Sequence, residues 1–99
     1  MIEELISRVF ATRNAAHLAH WSARGVGSFA RHMALGDFYD SITDLVDGLI
    51  ESYQGIYGIV EDKPNITMPG GAILPILVQL RKWIMDNRDR VGVPDDTEL

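Results

Sequence analysis

The sequence predicts an all-α fold: a three-helix chain with a long central helix. Two glycine- and proline-bearing clusters, Arg24-Gly25-Val26-Gly27-Ser28 and Pro64 to Gly71, cut the 99 residues into three intervals. Each interval is much longer than an ordinary strand, and its apolar residues recur every three or four positions instead of alternating. No repeat or low-complexity run interrupts this pattern, and the length suits one domain, residues 1–99, with a modest core.

The first helix is expected over about residues 2–24. It places Ile2, Leu5, Ile6, Val9, Ala16 and His20 on one face, and Gly25 is a natural left-handed stop. The second is expected over about 28–60, with Ser28 as its N-cap. Its apolar stripe is Leu35, Phe38, Ile42, Leu45, Val46, Leu49, Tyr53, Ile56 and Val60. The third is expected over about 75–90, with Pro75 in its first turn and Ile76, Leu77, Leu80, Trp83, Ile84 and Val91 as its stripe. Gly92 and Pro94 end it, and the tail 92–99 is expected to fray. A standard bundle has four helices, so three helices predict completion by a second copy.

Composition excludes several classes of function. There is no cysteine, which removes disulfides, thiolate metal sites and cysteine nucleophiles. Fourteen acids against nine bases give a net charge of −5, the wrong balance for gripping a phosphate backbone, so no nucleic-acid partner is expected. No secretory signal is visible at Met1–Phe10, and the longest apolar stretch, Ala72 to Val78, is too short to span a bilayer. The expectation is a soluble cytoplasmic protein without a membrane partner.

The second helix is the most informative segment. From His32 to Asp62 there is no Lys or Arg, yet half of the acids lie there. Asp37, Asp40, Asp44, Asp47 and Glu51 recur at three- and four-residue spacing. At roughly 100° per residue, His32, Gly36, Asp40, Asp47 and Glu51 fall within an arc of about 100°. Like charges at this spacing destabilise a helix by roughly 0.2–0.5 kcal/mol per pair. Either the row is a solvated face that keeps the protein soluble, or a cation, most simply a metal, compensates it.

Two histidines favour the metal. His20 lies about four residues before the end of the first helix and His32 about four after the start of the second. The short glycine joint makes these helices antiparallel, so both histidines sit about 6 Å from the turn. One imidazole from each helix at one level suits a transition metal better than magnesium. The alternative is a pair of buried histidines satisfied by backbone or carboxylate partners. His17, one turn earlier, is expected at the surface or in a capping role, with an outer-ligand role as the alternative. Asp47 and Glu51 lie roughly 22–28 Å beyond His32 along a straight helix. They can share a metal with His32 only across two antiparallel copies, with a two-fold axis near Asp40 and two equivalent sites per dimer.

These residues resemble a known motif. His20-Trp21-Ser22-Ala23-Arg24-Gly25, then His32 twelve residues after His20, then Asp47 and Glu51 fifteen and nineteen further on, is similar to the ferroxidase motif of Dps, the ferritin-like starvation proteins. Within it, His32-Met33-Ala34-Leu35-Gly36-Asp37-Phe38-Tyr39-Asp40 through Glu51-Ser52-Tyr53-Gln54-Gly55 looks like small Dps-like proteins of phages and prophages. The resemblance implies a ferritin-like fold and a homodimer or higher homo-oligomer, in a host cytoplasm or a virion. It implies iron, with zinc or manganese as alternatives, bound by His20, His32, Asp47 and Glu51 and oxidised there. Asp40 and Asp44 are secondary ligand candidates, and Trp21 is a redox neighbour. Two departures stand out. Gly36 occupies a position where the family has an Asp, which Asp37, Asp40 or a second copy's Asp44 would have to replace. The chain also lacks a fourth core helix and a basic tail, which puts the hollow cage and DNA binding in doubt.

Two other classes compete. An all-α nucleotide pyrophosphohydrolase would use Asp44, Asp47 and Glu51 for magnesium, but it needs a second acidic motif and a phosphate-clamping base that are not evident. A non-enzymatic helical interaction module, of phage origin, would use the acids to recognise a basic partner.

Overall fold

A computed structural model describes residues 2–61, 66 and 69–91. Among them there are three helices and no strand: α1 (Ile2–Ser22), α2 (Ser28–Tyr57) and α3 (Ile73–Val91). The all-α expectation therefore holds, and the differences lie at the helix ends. The tail 92–99, with Gly92 and Pro94, and the linker residues 62–65, 67 and 68 lie outside the described residues.

Ser28 is the first helical residue of α2 and does not cap it. The cap position is held by Gly27 at φ 77°, and no side chain closes this end. The joint is made by backbone instead. Gly25 and Gly27 both adopt left-handed angles that Cβ-bearing residues avoid, and the Ser28 N–H donates to the Gly25 carbonyl at 3.1 Å. At the other end α2 stops at Tyr57, three residues earlier than the apolar stripe implies. Gly58 turns out at φ 92° and donates its N–H to the Gln54 carbonyl, while the Gln54 side-chain oxygen accepts from Val60 N–H at 3.0 Å. Val60 still packs on the core, but as a loop residue. Similarly, α1 ends at Ser22. Helix α3 begins two residues before Pro75, whose missing N–H costs nothing in a first turn.

The core joins Ile2, Leu5, Ile6 and Val9 of α1 to Val46 and Leu49 of α2 and to Leu80 and Val91 of α3. Leu5 is 1% exposed, and its burial contributes roughly 1.5–3 kcal/mol. In sequence α2 is central, but in space α1 is: it packs along both other helices, whose own backbones scarcely approach each other. Toward α3 its buried residues turn small, with Thr12 and Ala15 beside Ile76.

Both packed pairs are antiparallel. Arg13 reaches Thr43 and His20 meets His32 on one side, while the Arg8 guanidinium lies 5.0 Å from the Trp83 ring on the other. It follows that α2 and α3 run parallel. No helix among the described residues is long and apolar enough to cross a membrane.

Candidate metal centre

The α1–α2 hairpin brings the two histidines together. Their rings stack with centroids 3.6 Å apart and planes 20° from parallel. His20 Nδ1 lies 2.5 Å from the His32 carbonyl oxygen, and His32 Nδ1 lies 2.8 Å from that of His20. A carbonyl oxygen only accepts, so both Nδ1 atoms carry a proton and donate it. In each neutral imidazole the remaining lone pair is then on Nε2. Neither Nε2 has a hydrogen-bond partner among the described residues. This reciprocal pinning fixes both tautomers and both ring orientations with backbone atoms alone. Metal-ligating histidines commonly have the same arrangement, the second nitrogen donating to a carbonyl or carboxylate.

Gly36 acquires a physical reason. A Cβ built on it would lie 3.0 Å from His20 Cε1 and 3.2 Å from Nδ1, so the imidazole rests against bare α2 backbone. Glycine inside a helix costs roughly 1 kcal/mol relative to alanine, and here it makes room for the ring. An Asp at this position would push into His20. The departure from the resembled motif is thus coupled to the way these histidines pack.

His17 is half-buried, which departs from the expected surface position. It stacks on Tyr39 at 4.1 Å and 22°, and its ring is 4.4 Å from that of Trp21. Tyr39 also meets His20 edge-on at 5.4 Å. Aromatic pairs of this kind contribute roughly 0.5–1.5 kcal/mol each beyond area burial. Tyr39 is the site residue that sequence reasoning treated only as packing. The available signal was its place two turns beyond His32, on the face turned to α1. Trp21 is 66% exposed, with one side of its indole covered by His17.

The carboxylates are elsewhere. Asp37, Asp40, Asp44, Asp47 and Glu51 are all exposed, and none has a hydrogen bond or ion pair within the described chain. Asp47 and Glu51 sit at the far end of α2, beside Ile6 and Phe10 of α1. Since α2 is one continuous helix, they remain roughly 22–28 Å from His32. Among the described residues of a single chain, no three histidines or acids converge as a metal cage. One copy therefore provides an imidazole pair near one end of α2 and the Asp47 and Glu51 carboxylates toward the other. The donor types, imidazole nitrogens with carboxylate oxygens, suit iron, zinc or manganese.

No curated protein and no solved structure matches the chain. A family model does match, over residues 20–98, a span that opens at His20 and takes in the second histidine, all of α2 and all of α3. That is well over half of the sequence, and the chain belongs to this family, which is described as a family of unknown function (DUF5856).

Proposed function

We propose that this protein binds a transition-metal cation, with iron as the first choice and zinc or manganese as alternatives. The site would be completed by two antiparallel copies. His20 and His32 of one copy supply the imidazoles, and a second copy's Asp47 and Glu51 supply the carboxylates. The observation that carries this reading is the reciprocal Nδ1–H···O=C pinning of the two rings, which leaves Nε2 of each as the available ligand atom.

Two further features support it. Among the described residues the acids have no cation of their own, so a shared metal would supply the missing positive charge. The helix order, an antiparallel pair followed by a long connection to a parallel third helix, is that of ferritin-like bundles with one crossover. On this reading the protein is a Dps-like relative, and iron(II) is its substrate. The electron acceptor would be dioxygen or peroxide, and the carboxylate oxygens favour the ferric product. Trp21 and Tyr39, in ring contact with His17, are the residues placed to act as redox neighbours.

The test is iron bound per chain after anaerobic loading with iron(II) and desalting, followed by the rate of oxidation. Wild type should retain iron, His32→Ala should lose it, and oxidation should outpace that of free iron(II). Failure to retain iron, zinc or manganese with the fold intact would overturn the reading and leave the interaction module in its place.

A further inference from the structure

The turn between α1 and α2 presents apolar side chains where a loop is ordinarily polar. Gly25 and Gly27 take left-handed angles on either side of Val26, and the Ser28 N–H, bonded to the Gly25 carbonyl, closes the turn. Val26 at the apex is 103% exposed, and Trp21 and Phe29 on the flanking helix ends are 66% and 76% exposed. Take the His20–His32 contact as the line between the two helices. Trp21 then lies about 100° and Phe29 about 60° from it, toward the same side. The three form one convex apolar tip.

Charge is segregated toward the same end. Leu5 to Gly36 contains no Asp or Glu and four arginines, of which Arg24 and Arg31 flank the tip. The start of α3 reaches this end too, with Ile73 lining one hollow with Leu18 and Ser22, and Lys63 to Met85 again contains no acid. Among the described residues the nearest acid on a helix is Asp37, nine residues into α2 and roughly 14 Å along its axis. The Debye length at physiological salt is about 8 Å. A surface that touches the tip therefore meets Arg24 and Arg31, while the acids behind the net charge of −5 are largely screened from it.

We propose that this tip docks on the surface of an anionic lipid bilayer. Trp21, Val26 and Phe29 enter the boundary between headgroups and acyl chains, and Arg24 and Arg31 pair with lipid phosphates. Shape, residue type and charge select this partner. A convex tip needs a matching pocket on a protein, whereas acyl chains close around it. An indole beside other apolar groups suits the bilayer interface, and arginine stems follow apolar groups inward while their charges stay at the headgroups. Two arginines at an end without acids complement anionic headgroups. The exposed acids of a second copy would satisfy the arginines, but they would set carboxylates against Trp21, Val26 and Phe29. Such a contact lies on the surface and needs no spanning helix, so it departs from the sequence expectation of no membrane partner, which rests on the lack of a span.

The experiment follows fluorescence of the full chain carrying Trp83→Phe, which leaves Trp21 the single tryptophan. Chelator is present throughout, so that no metal bridges carboxylates to lipid. With vesicles of mixed phosphatidylcholine and phosphatidylglycerol, Trp21 emission should shift to shorter wavelength and be quenched by lipids brominated on their acyl chains. Binding to pure phosphatidylcholine should be weaker by roughly tenfold or more, the weight of two arginines near an anionic surface. Arg24→Glu with Arg31→Glu should lose the preference for mixed vesicles. Val26→Asp and Phe29→Asp should each abolish the quenching while helical circular dichroism and melting temperature hold. Val26 is fully exposed, and an acid in the first turn of α2 favours the helix dipole. An unmoved Trp21 emission, or a shift that survives both Asp substitutions, would overturn the proposal. So would a shift that needs only higher protein concentration and no vesicles, which would give the tip to a second copy. Iron retention is measured without lipid, so the metal reading and this one fail separately.

Discussion

Helices α1 and α2 are built from similar residue types but use their surfaces differently. Seven residues of α1's 21 are buried, against three of α2's 30. The shorter helix is the hub, covered on two sides by its own chain, while the longest helix has most of its circumference free. Stability within one copy is therefore concentrated in α1. The chemistry-bearing residues of α2, from the pinned His32 to the unpaired acids, face outward or toward the hairpin seam. A helix that carries acids with no ion pair among the described residues, several exposed large apolar side chains and three internal glycines is poorly optimised for a solitary chain, because each feature costs stability there.

The sharpest way to break this contrast is to truncate one leucine on each helix. Leu5→Ala should lose about 2–5 kcal/mol in urea unfolding, because the side chain is 1% exposed at the centre of the hub. Leu45→Ala, 57% exposed, should stay within about 0.5 kcal/mol when unfolding is measured on a single copy. Equal losses would contradict the division of labour between the helices.

A smaller effect is expected at the hairpin. His20→Ala removes the hydrogen bond that the His20 ring donates to the His32 carbonyl, together with the stacked ring, and keeps the backbone carbonyl of residue 20 that accepts from His32. The cost should be about 1–3 kcal/mol by denaturant melt. The His32 ring should keep its tautomer, visible as a retained Nδ1–H signal by nitrogen NMR, because its acceptor is backbone. Loss of the His32 signal would mean that the stacked His20 ring, and not the backbone carbonyl, holds it.

Gly36→Ala sets two effects against each other, a helix-propensity gain of about 1 kcal/mol and a crowding penalty from His20 at 3.0 Å. Net stability should move little while the His20 ring shifts and metal uptake falls. Gly48→Ala meets nothing within 4 Å, so it should stabilise a single copy by up to about 1 kcal/mol. If Gly36→Ala stabilised the chain as much as Gly48→Ala, the contact between Gly36 and the imidazole would have no consequence.

Much of this was legible in the residues. Apolar periodicity located all three helices, because each buries a stripe whose spacing follows from 3.6 residues per turn. The level meeting of His20 and His32 followed from a short joint between antiparallel helices. Helix ends were less legible: Val60 continues the apolar pattern but packs from a loop, and a backbone turn through two left-handed glycines does the work assigned to a Ser28 cap. The reason for Gly36 was hidden, since it depends on which way an imidazole from another helix leans. The stacking of His17 on Tyr39 was hidden likewise.

The central functional claim is that the histidine pair and the acidic row form one site only across two copies. Mixing two variants tests it directly. His32→Ala and the double variant Asp47→Asn/Glu51→Gln should each fail to retain iron(II) alone. Unfolded together and refolded, they should recover uptake, because a hybrid pair contains one site with both halves intact. Recovery would place the two halves in different chains. No recovery, with mixed pairs demonstrated by mass spectrometry, would contradict the account and return the acids of α2 to a solvated face.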